Sequence, residues 1–124
     1  MRTPLSRVRH LGSAHEGTEH FWSQRLTGVA NAILSTAVVL ILAYAVGRPF
    51  ADVRDLIGAP FVAPLFILLF VSVAIHMRIG MQVIVEDYVH NEGTKLILLG
   101  ASTLFSIAVA AVAIIAVLKL AVGV

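Results

Sequence analysis

His76 lies inside an apolar run, in the stretch His76-Met77-Arg78-Ile79-Gly80-Met81-Gln82-Val83-Ile84-Val85-Glu86-Asp87-Tyr88. An ionisable side chain is costly to hold at bilayer depth, so it marks a functional site by default. A helix turns about 100° per residue, and positions four, seven and eleven residues apart share a face. His76, Gly80, Val83 and Asp87 therefore line one stripe. That stripe carries an imidazole, a gap where a side chain would be, an aliphatic residue and a carboxylate near the helix end. A flat, bulky ligand has room against the gap and can be held by the imidazole.

Two uses of the imidazole compete. One is a neutral ring hydrogen-bonded to a neighbouring helix. The other is an axial ligand to haem iron, a common role for histidine. Gly80 favours the second, because it removes the side chain that a porphyrin edge would strike. His76 is the only histidine within an apolar span. A bis-histidine haem would take its second ligand from another chain, and this chain would supply half a site.

Arg78 lies about 200° around the helix from His76. It must meet a carboxylate, a propionate or water, snorkel to the interface, or pair along its own stripe with Gln82 or Glu86. Asp87 and Tyr88 fall at the membrane boundary. Tyr88 reads as an aromatic-belt anchor or a ligand contact, and Asp87 as a solvated helix end or a partner contact. Glu86 and Asp87 occupy a helix C-terminus, where the macrodipole disfavours acids, which argues for an external reason to keep them. Arg25, in Phe21-Trp22-Ser23-Gln24-Arg25-Leu26-Thr27-Gly28, is either a positive-inside anchor beside an interfacial Trp22 or the partner of an anionic group such as a haem propionate. His10, His15 and His20 recur every five residues in a polar tail. That is not zinc-finger spacing, and they read as surface or partner-contact residues. His90 reads as a loop residue.

The elements that position these residues are membrane spans. The 124 residues are 59% hydrophobic and 13% charged, with a mean hydropathy of +0.95. Soluble domains are roughly half apolar and about a quarter charged, so this is an all-α integral membrane protein with no room for a soluble catalytic domain. There is no cysteine, which excludes disulfides, thiolate metal ligands, iron–sulfur ligation and a cysteine nucleophile in this chain. The net charge of +2 reads as topology and not as nucleic-acid binding, since no aromatic-interleaved basic surface accompanies it.

Three transmembrane helices are expected, at about 26–47, 62–88 and 95–119, in an anchor domain 26–124 behind an N-terminal segment 1–25. Leu26 to Val46 carries no charge and is ~31 Å long as a helix, enough to cross a bilayer. Gly47-Arg48-Pro49 ends it. The segment from Arg48 to Pro60 reads as a short loop with one surface turn. Pro64 falls in the first turn of the second span, where a missing N–H costs nothing. Asn91-Glu92-Gly93-Thr94 reads as a turn. Ser102, Ser106, Ala110 and Ala113 form a small-residue stripe in the third span, which reads as close helix packing.

Counting Arg and Lys, five on the N-terminal side (Arg2, Arg7, Arg9, Arg25, Lys95) against three on the other (Arg48, Arg54, Lys119) favour an N-terminus inside. Asp87 and Tyr88 then face the cytoplasm, and His76 lies ~16 Å along the helix from them, on the inner half of the bilayer. No secretory signal is read, because the first apolar run begins late and is too long for one. The Arg- and Ser-bearing start faintly resembles a transit peptide, but Glu16 and Glu19 follow it. A bacterial cytoplasmic membrane is expected ahead of a mitochondrial inner membrane.

His76-x-x-x-Gly80 followed by Asp87-Tyr88-Val89 resembles the second helix of the hydrophobic membrane anchor of succinate dehydrogenase (respiratory complex II). Trp22-Ser23-Gln24-Arg25-Leu26-Thr27-Gly28 resembles the segment that opens the first helix of such anchors, and the three-span plan and size fit too. The companion anchor, the cytochrome b-type subunit, also carries His, then Gly at four and Asp at eleven. It usually has Arg and a further His after that Gly, and a His directly before the Arg of its first-helix motif. Here Val83 and Gln24 stand at those two His positions and Tyr88 follows the Asp, which favours the hydrophobic anchor over its cytochrome b-type companion.

The resemblance implies a larger helix bundle in which the two anchors share haem b. A flavoprotein holding FAD and an iron–sulfur subunit would dock on the inner face. Electrons from succinate would pass through them to ubiquinone, bound where the anchors meet the iron–sulfur subunit. Carried over, His76 is an axial ligand of the haem iron beside Gly80, Tyr88 hydrogen-bonds a quinone carbonyl with Asp87 next to it, and Arg25 lies near the haem propionates. No residue here serves succinate oxidation itself. Two other functions fit the residues: a proton- or ion-translocating subunit using His76, Arg78 and Glu86 as relay groups, and a structural subunit in which His76 only bridges helices. The lack of a second buried acid in the first and third spans weakens the relay.

Overall fold

The structure, a computed structural model, describes residues 3–8 and 16–124. Five helices follow in order: α1 Pro4–Val8, α2 Glu16–Ala45, α3 Phe50–Gly58, α4 Ala63–Tyr88 and α5 Glu92–Val122. Among the described residues there is no strand. α2, α4 and α5 are each long and apolar enough to cross a membrane, so the chain is an all-α, three-span membrane protein.

α2 starts at Glu16, well ahead of the span expected to open at Leu26. Once an apolar span is helical, adding residues at its end costs no new nucleation, and the helix runs back through the polar segment. Residues 17–22 are exposed along that extension. The expected loop between the first two spans also holds more structure. Pro49 precedes α3 and Asp52 lies in its first turn, where an acid suits the macrodipole. Val53, Leu56 and Ile57 are half-buried, while Asp52, Arg54 and Asp55 stay exposed, so α3 is amphipathic and packs on α5 and α4.

Local chemistry sets the remaining boundaries. Gly47, just past α2, has φ +76°, a conformation that favours glycine. Pro64 falls in the first turn of α4. The Asn91 side chain caps α5 by accepting from the Thr94 N–H at 3.0 Å and from the Thr94 hydroxyl at 3.2 Å. This cap turns the expected Asn91–Thr94 turn into the start of a helix.

α4 is the middle of the assembly, with α2 packed on one side and α5 on the other. The apolar core lies toward the α3 end of the bundle, where Val38, Ala63, Phe66 and Val117 bury each other with Ile41, Ile57 and Phe70 around them. α3 seals this end against α5. A Cβ placed on Gly58 would lie 2.5 Å from the Leu120 carbonyl oxygen, so only glycine permits that approach. Ser106 of the small-residue stripe is buried to 2% exposure and its hydroxyl donates to the Ser102 carbonyl at 2.8 Å. Leu26, Ile33, Leu40 and Leu104 point outward at 66–71% exposure, as lipid-facing residues should.

Candidate cofactor site at the seam of α2 and α4

Toward the Tyr88 end of α4, the α2–α4 contact changes from apolar to polar. Gln24, Thr27, Gly28 and Asn31 recur at three- and four-residue spacing on α2 and so share a face. Opposite them α4 presents Ser72, His76 and Gly80. The Ser72 hydroxyl donates to the Thr27 carbonyl at 3.2 Å. Thr27 is buried, and its hydroxyl lies 2.6 Å from the Ser23 carbonyl and 3.1 Å from Nδ1 of His76.

Those distances assign the imidazole. A hydroxyl has one proton and two acceptor lone pairs. The short contact to Ser23, whose carbonyl can only accept, takes that proton. The Thr27 oxygen must then accept from Nδ1–H of His76. A neutral imidazole protonated at Nδ1 carries its lone pair on Nε2. Facing Nε2 is the amide nitrogen of Gln24 at 3.5 Å, the outer limit of a hydrogen bond.

Gln24 also changes the role of Gly80. The glycine does leave a gap, but a Cβ there would meet the Gln24 amide nitrogen at 3.4 Å, so this side chain fills the notch expected to admit a porphyrin edge. Gly28 makes similar room on α2, since its Cβ would lie 3.4 Å from Cε1 of His76. The seam is not fully satisfied: Oε1 of Gln24 and Oδ1 of Asn31 are buried without a hydrogen-bond partner.

The other residues named from sequence are not drawn together. Arg25 is exposed with its guanidinium 4.4 Å over the Phe21 ring, and Trp22 packs edge-on against Phe21 at 5.8 Å. Asp87 is exposed near the C-terminal end of α4. Tyr88, 78% exposed, closes one end of an apolar hollow of about 530 Å³ between α4 and α5, lined also by Met77, Met81, Ile84 and Phe105. Glu86 accepts from the Gln82 amide at 2.9 Å, so the pair anticipated for Arg78 forms without Arg78. His20 and His90 are exposed, while His10 and His15 lie outside the described residues. Among the described residues no cluster of three or more His, Asp or Glu side chains could hold a metal ion. His76 thus offers a single ligand.

Thr27 and Ser72 were not singled out from sequence, and Gln24 was noted only at a His position of the companion anchor and not as a neighbour of His76. The signal was present in the polar residues that interrupt an apolar span at helical spacing, but their partner face on α4 becomes visible only once α2 and α4 are packed.

Comparison with known proteins agrees with this architecture. The family described as succinate dehydrogenase/fumarate reductase transmembrane subunit matches residues 1–117. The chain is 31% identical to the succinate dehydrogenase hydrophobic membrane anchor subunit of Paracoccus denitrificans, over 98% of this chain and 93% of that one. It is 32% identical to the succinate dehydrogenase membrane anchor subunit of Reclinomonas americana, over 73% and 78% of the two chains. It is 31% identical to the succinate dehydrogenase hydrophobic membrane anchor subunit of Rickettsia bellii (strain RML369-C), over 86% and 85%. No solved structure matches the chain. By the extent of these matches, the chain belongs to the succinate dehydrogenase/fumarate reductase transmembrane subunit family, among its succinate dehydrogenase membrane anchors.

Proposed function

We propose that this chain is the anchor that holds one side of a haem b through Nε2 of His76 and bounds a ubiquinone site at Tyr88. The observation that carries this reading is the Thr27 hydroxyl 3.1 Å from Nδ1 of His76. Metal-bound histidines almost always donate their other N–H to a fixed acceptor, which sets the tautomer and raises the basicity of the ligating nitrogen. Thr27 supplies that acceptor, and Nε2 is left as an electron-pair donor at a seam between helices. Gln24 is the one side chain in front of it, at a contact too long to be strong. Rotation of this flexible amide frees both Nε2 and the notch at Gly80. The residues present therefore fit a haem, which His76 would hold through Nε2. Bound there, the haem would supply one-electron redox chemistry at a position between the spans.

The second ligand would come from another chain, since His20, the other described histidine on a spanning helix, is exposed in the polar extension of α2. A second anchor, the cytochrome b-type subunit, is the partner this implies. The iron–sulfur and flavoprotein subunits, with the clusters and FAD, would dock on the side where α4 ends at Tyr88. Tyr88 there donates its phenolic O–H to a quinone carbonyl oxygen, with Asp87 adjacent. The apolar hollow leading to Tyr88 suits a prenyl tail. Arg25, exposed with its guanidinium over the Phe21 ring, is available to a propionate. The charge count supports an N-terminus on the cytoplasmic side of a bacterial inner membrane.

A rival reading rests on the Gln24 contact itself: with both ring nitrogens engaged by α2, His76 would only pin two helices. A reduced-minus-oxidised visible spectrum of the purified complex decides between them. Sharp low-spin b-type bands that disappear in His76→Ala, with the complex still assembled, are the expected result. Unchanged bands in that variant would remove His76 as a ligand.

A further inference from the structure

We propose that the groove between α4 and α5 on the Arg78 side receives a transmembrane helix of a neighbouring subunit that carries a carboxylate at the depth of Arg78. This goes beyond the haem and quinone reading and does not depend on it.

Arg78 is exposed, and among the described residues no acid pairs with it. The nearest acid on its own stripe, Glu86, is engaged by Gln82. Two hollows, of about 470 and 610 Å³, meet at Arg78 and Thr103. Together they extend along α5 from Leu96 to Ile114, ~27 Å of helix rise and most of a bilayer core. Thr103, Ser106, Ala110 and Ala111 form part of the floor, and small residues let a neighbouring backbone approach closely.

Depth selects the occupant. α4 is ~39 Å long over a hydrocarbon core of ~30 Å. Arg78 lies ten residues from Tyr88, which puts its Cα ~10 Å inside the nearer boundary. A helical side chain leans toward its helix N-terminus, so Arg78 leans toward Ala74 and the bilayer centre, away from that boundary. A lipid phosphate stays at the surface. A cation at this depth calls for an acid at the same depth, and a spanning helix is what can carry one there without exposing backbone to lipid. His76 lies about 200° away on α4, so this contact is separate from the seam with α2.

The test places a photoreactive benzophenone side chain at Thr103, and separately at Ile107, in the full complex in native membranes. The adducts are then mapped by mass spectrometry. The expected product is a polypeptide adduct whose crosslinked segment has Asp or Glu within one helical turn. Its yield should fall about tenfold or more in Arg78→Gln and persist in Arg78→Lys, as for loss of one partner of a buried charge pair. Exchange of the two charges, with Arg78→Glu and the mapped acid replaced by Arg, should restore it. A lipid-sized adduct alone, a second copy of this chain, a segment without an acid, no adduct, or equal yield in Arg78→Gln would each overturn the proposal. Chain abundance in the membrane, measured in parallel, separates lost docking from lost folding.

Discussion

Nδ1 of His76 on α4 and the hydroxyl of Thr27 on α2 lie 3.1 Å apart, and the hydroxyl is itself committed to the Ser23 carbonyl at 2.6 Å. This relay from ring to hydroxyl to backbone fixes the imidazole by a group whose own proton is already spent. The ring can neither flip nor change tautomer without stranding a buried polar atom, which costs about 1–3 kcal/mol. A single threonine thus decides which nitrogen of His76 faces the space between helices.

Thr27→Val keeps the shape of the side chain and removes the acceptor. Haem affinity should fall by about 10- to 100-fold, the usual effect of losing a hydrogen bond behind a metal ligand. The residual haem should show a shifted midpoint potential. Thr27→Ser should restore both. Haem-to-protein ratio and redox titration check this, and a Thr27→Val complex with unchanged potential would show that the hydroxyl does not act on the ring.

Tyr88→Phe deletes one donor at an exposed position and leaves an aromatic ring lining the hollow it shares with Met81 and Phe105. Net loss of one hydrogen bond is about 1 kcal/mol, so quinone reduction should slow about fivefold. Succinate oxidation measured with an artificial acceptor should be unaffected, because under the proposed function that chemistry belongs to partner subunits. Equal losses in both assays would assign Tyr88 to assembly and not to quinone.

The span count and the isolation of His76 were legible in sequence because both follow from composition over long windows. Where α2 begins was not legible, because Glu16 to Arg25 is polar and its helicity is inherited from the span behind it. α3 was hidden for a related reason: Val53, Leu56 and Ile57 become an apolar face only against the ends of α4 and α5. Gly80 shows the limit most clearly. Its missing side chain marks a close approach, but the chain alone did not reveal that the approaching group is Gln24 from another span. Likewise Gln82 and Glu86 were seen as possible partners for Arg78, yet a four-residue spacing let them satisfy each other first.

Gly58→Ala should destabilise the end of the bundle where α3 meets α5. Its Cβ would sit 2.5 Å from the Leu120 carbonyl oxygen and 2.8 Å from the carbonyl carbon. Neither atom belongs to a flexible side chain, so α3 must move off α5. Overpacking of this kind costs about 1–3 kcal/mol. Thermal unfolding of the detergent-solubilised complex should show a lower midpoint, with the haem spectrum of the remaining folded fraction intact, because the seam at His76 lies in the other half of the bundle.

Gln24→Ala separates the two readings of His76. If the histidine only pins α2 to α4, removing Gln24 takes away one of its two tethers, and stability should drop with no spectroscopic consequence. If Nε2 is a ligand, Gln24 is an occupant that must leave, and its amide is already poorly placed, with Oε1 buried and unpartnered. Its removal then relieves a buried unsatisfied atom and opens the notch at Gly80. Haem content should be kept or raised, and stability should change little. The converse substitution, Gly80→Leu, fills the same notch from α4 and should exclude haem while leaving Thr27 and His76 in contact. A Gln24→Ala complex that loses haem in proportion to its loss of folded protein, together with a Gly80→Leu complex that keeps it, would place the cofactor elsewhere and leave His76 as a bridge.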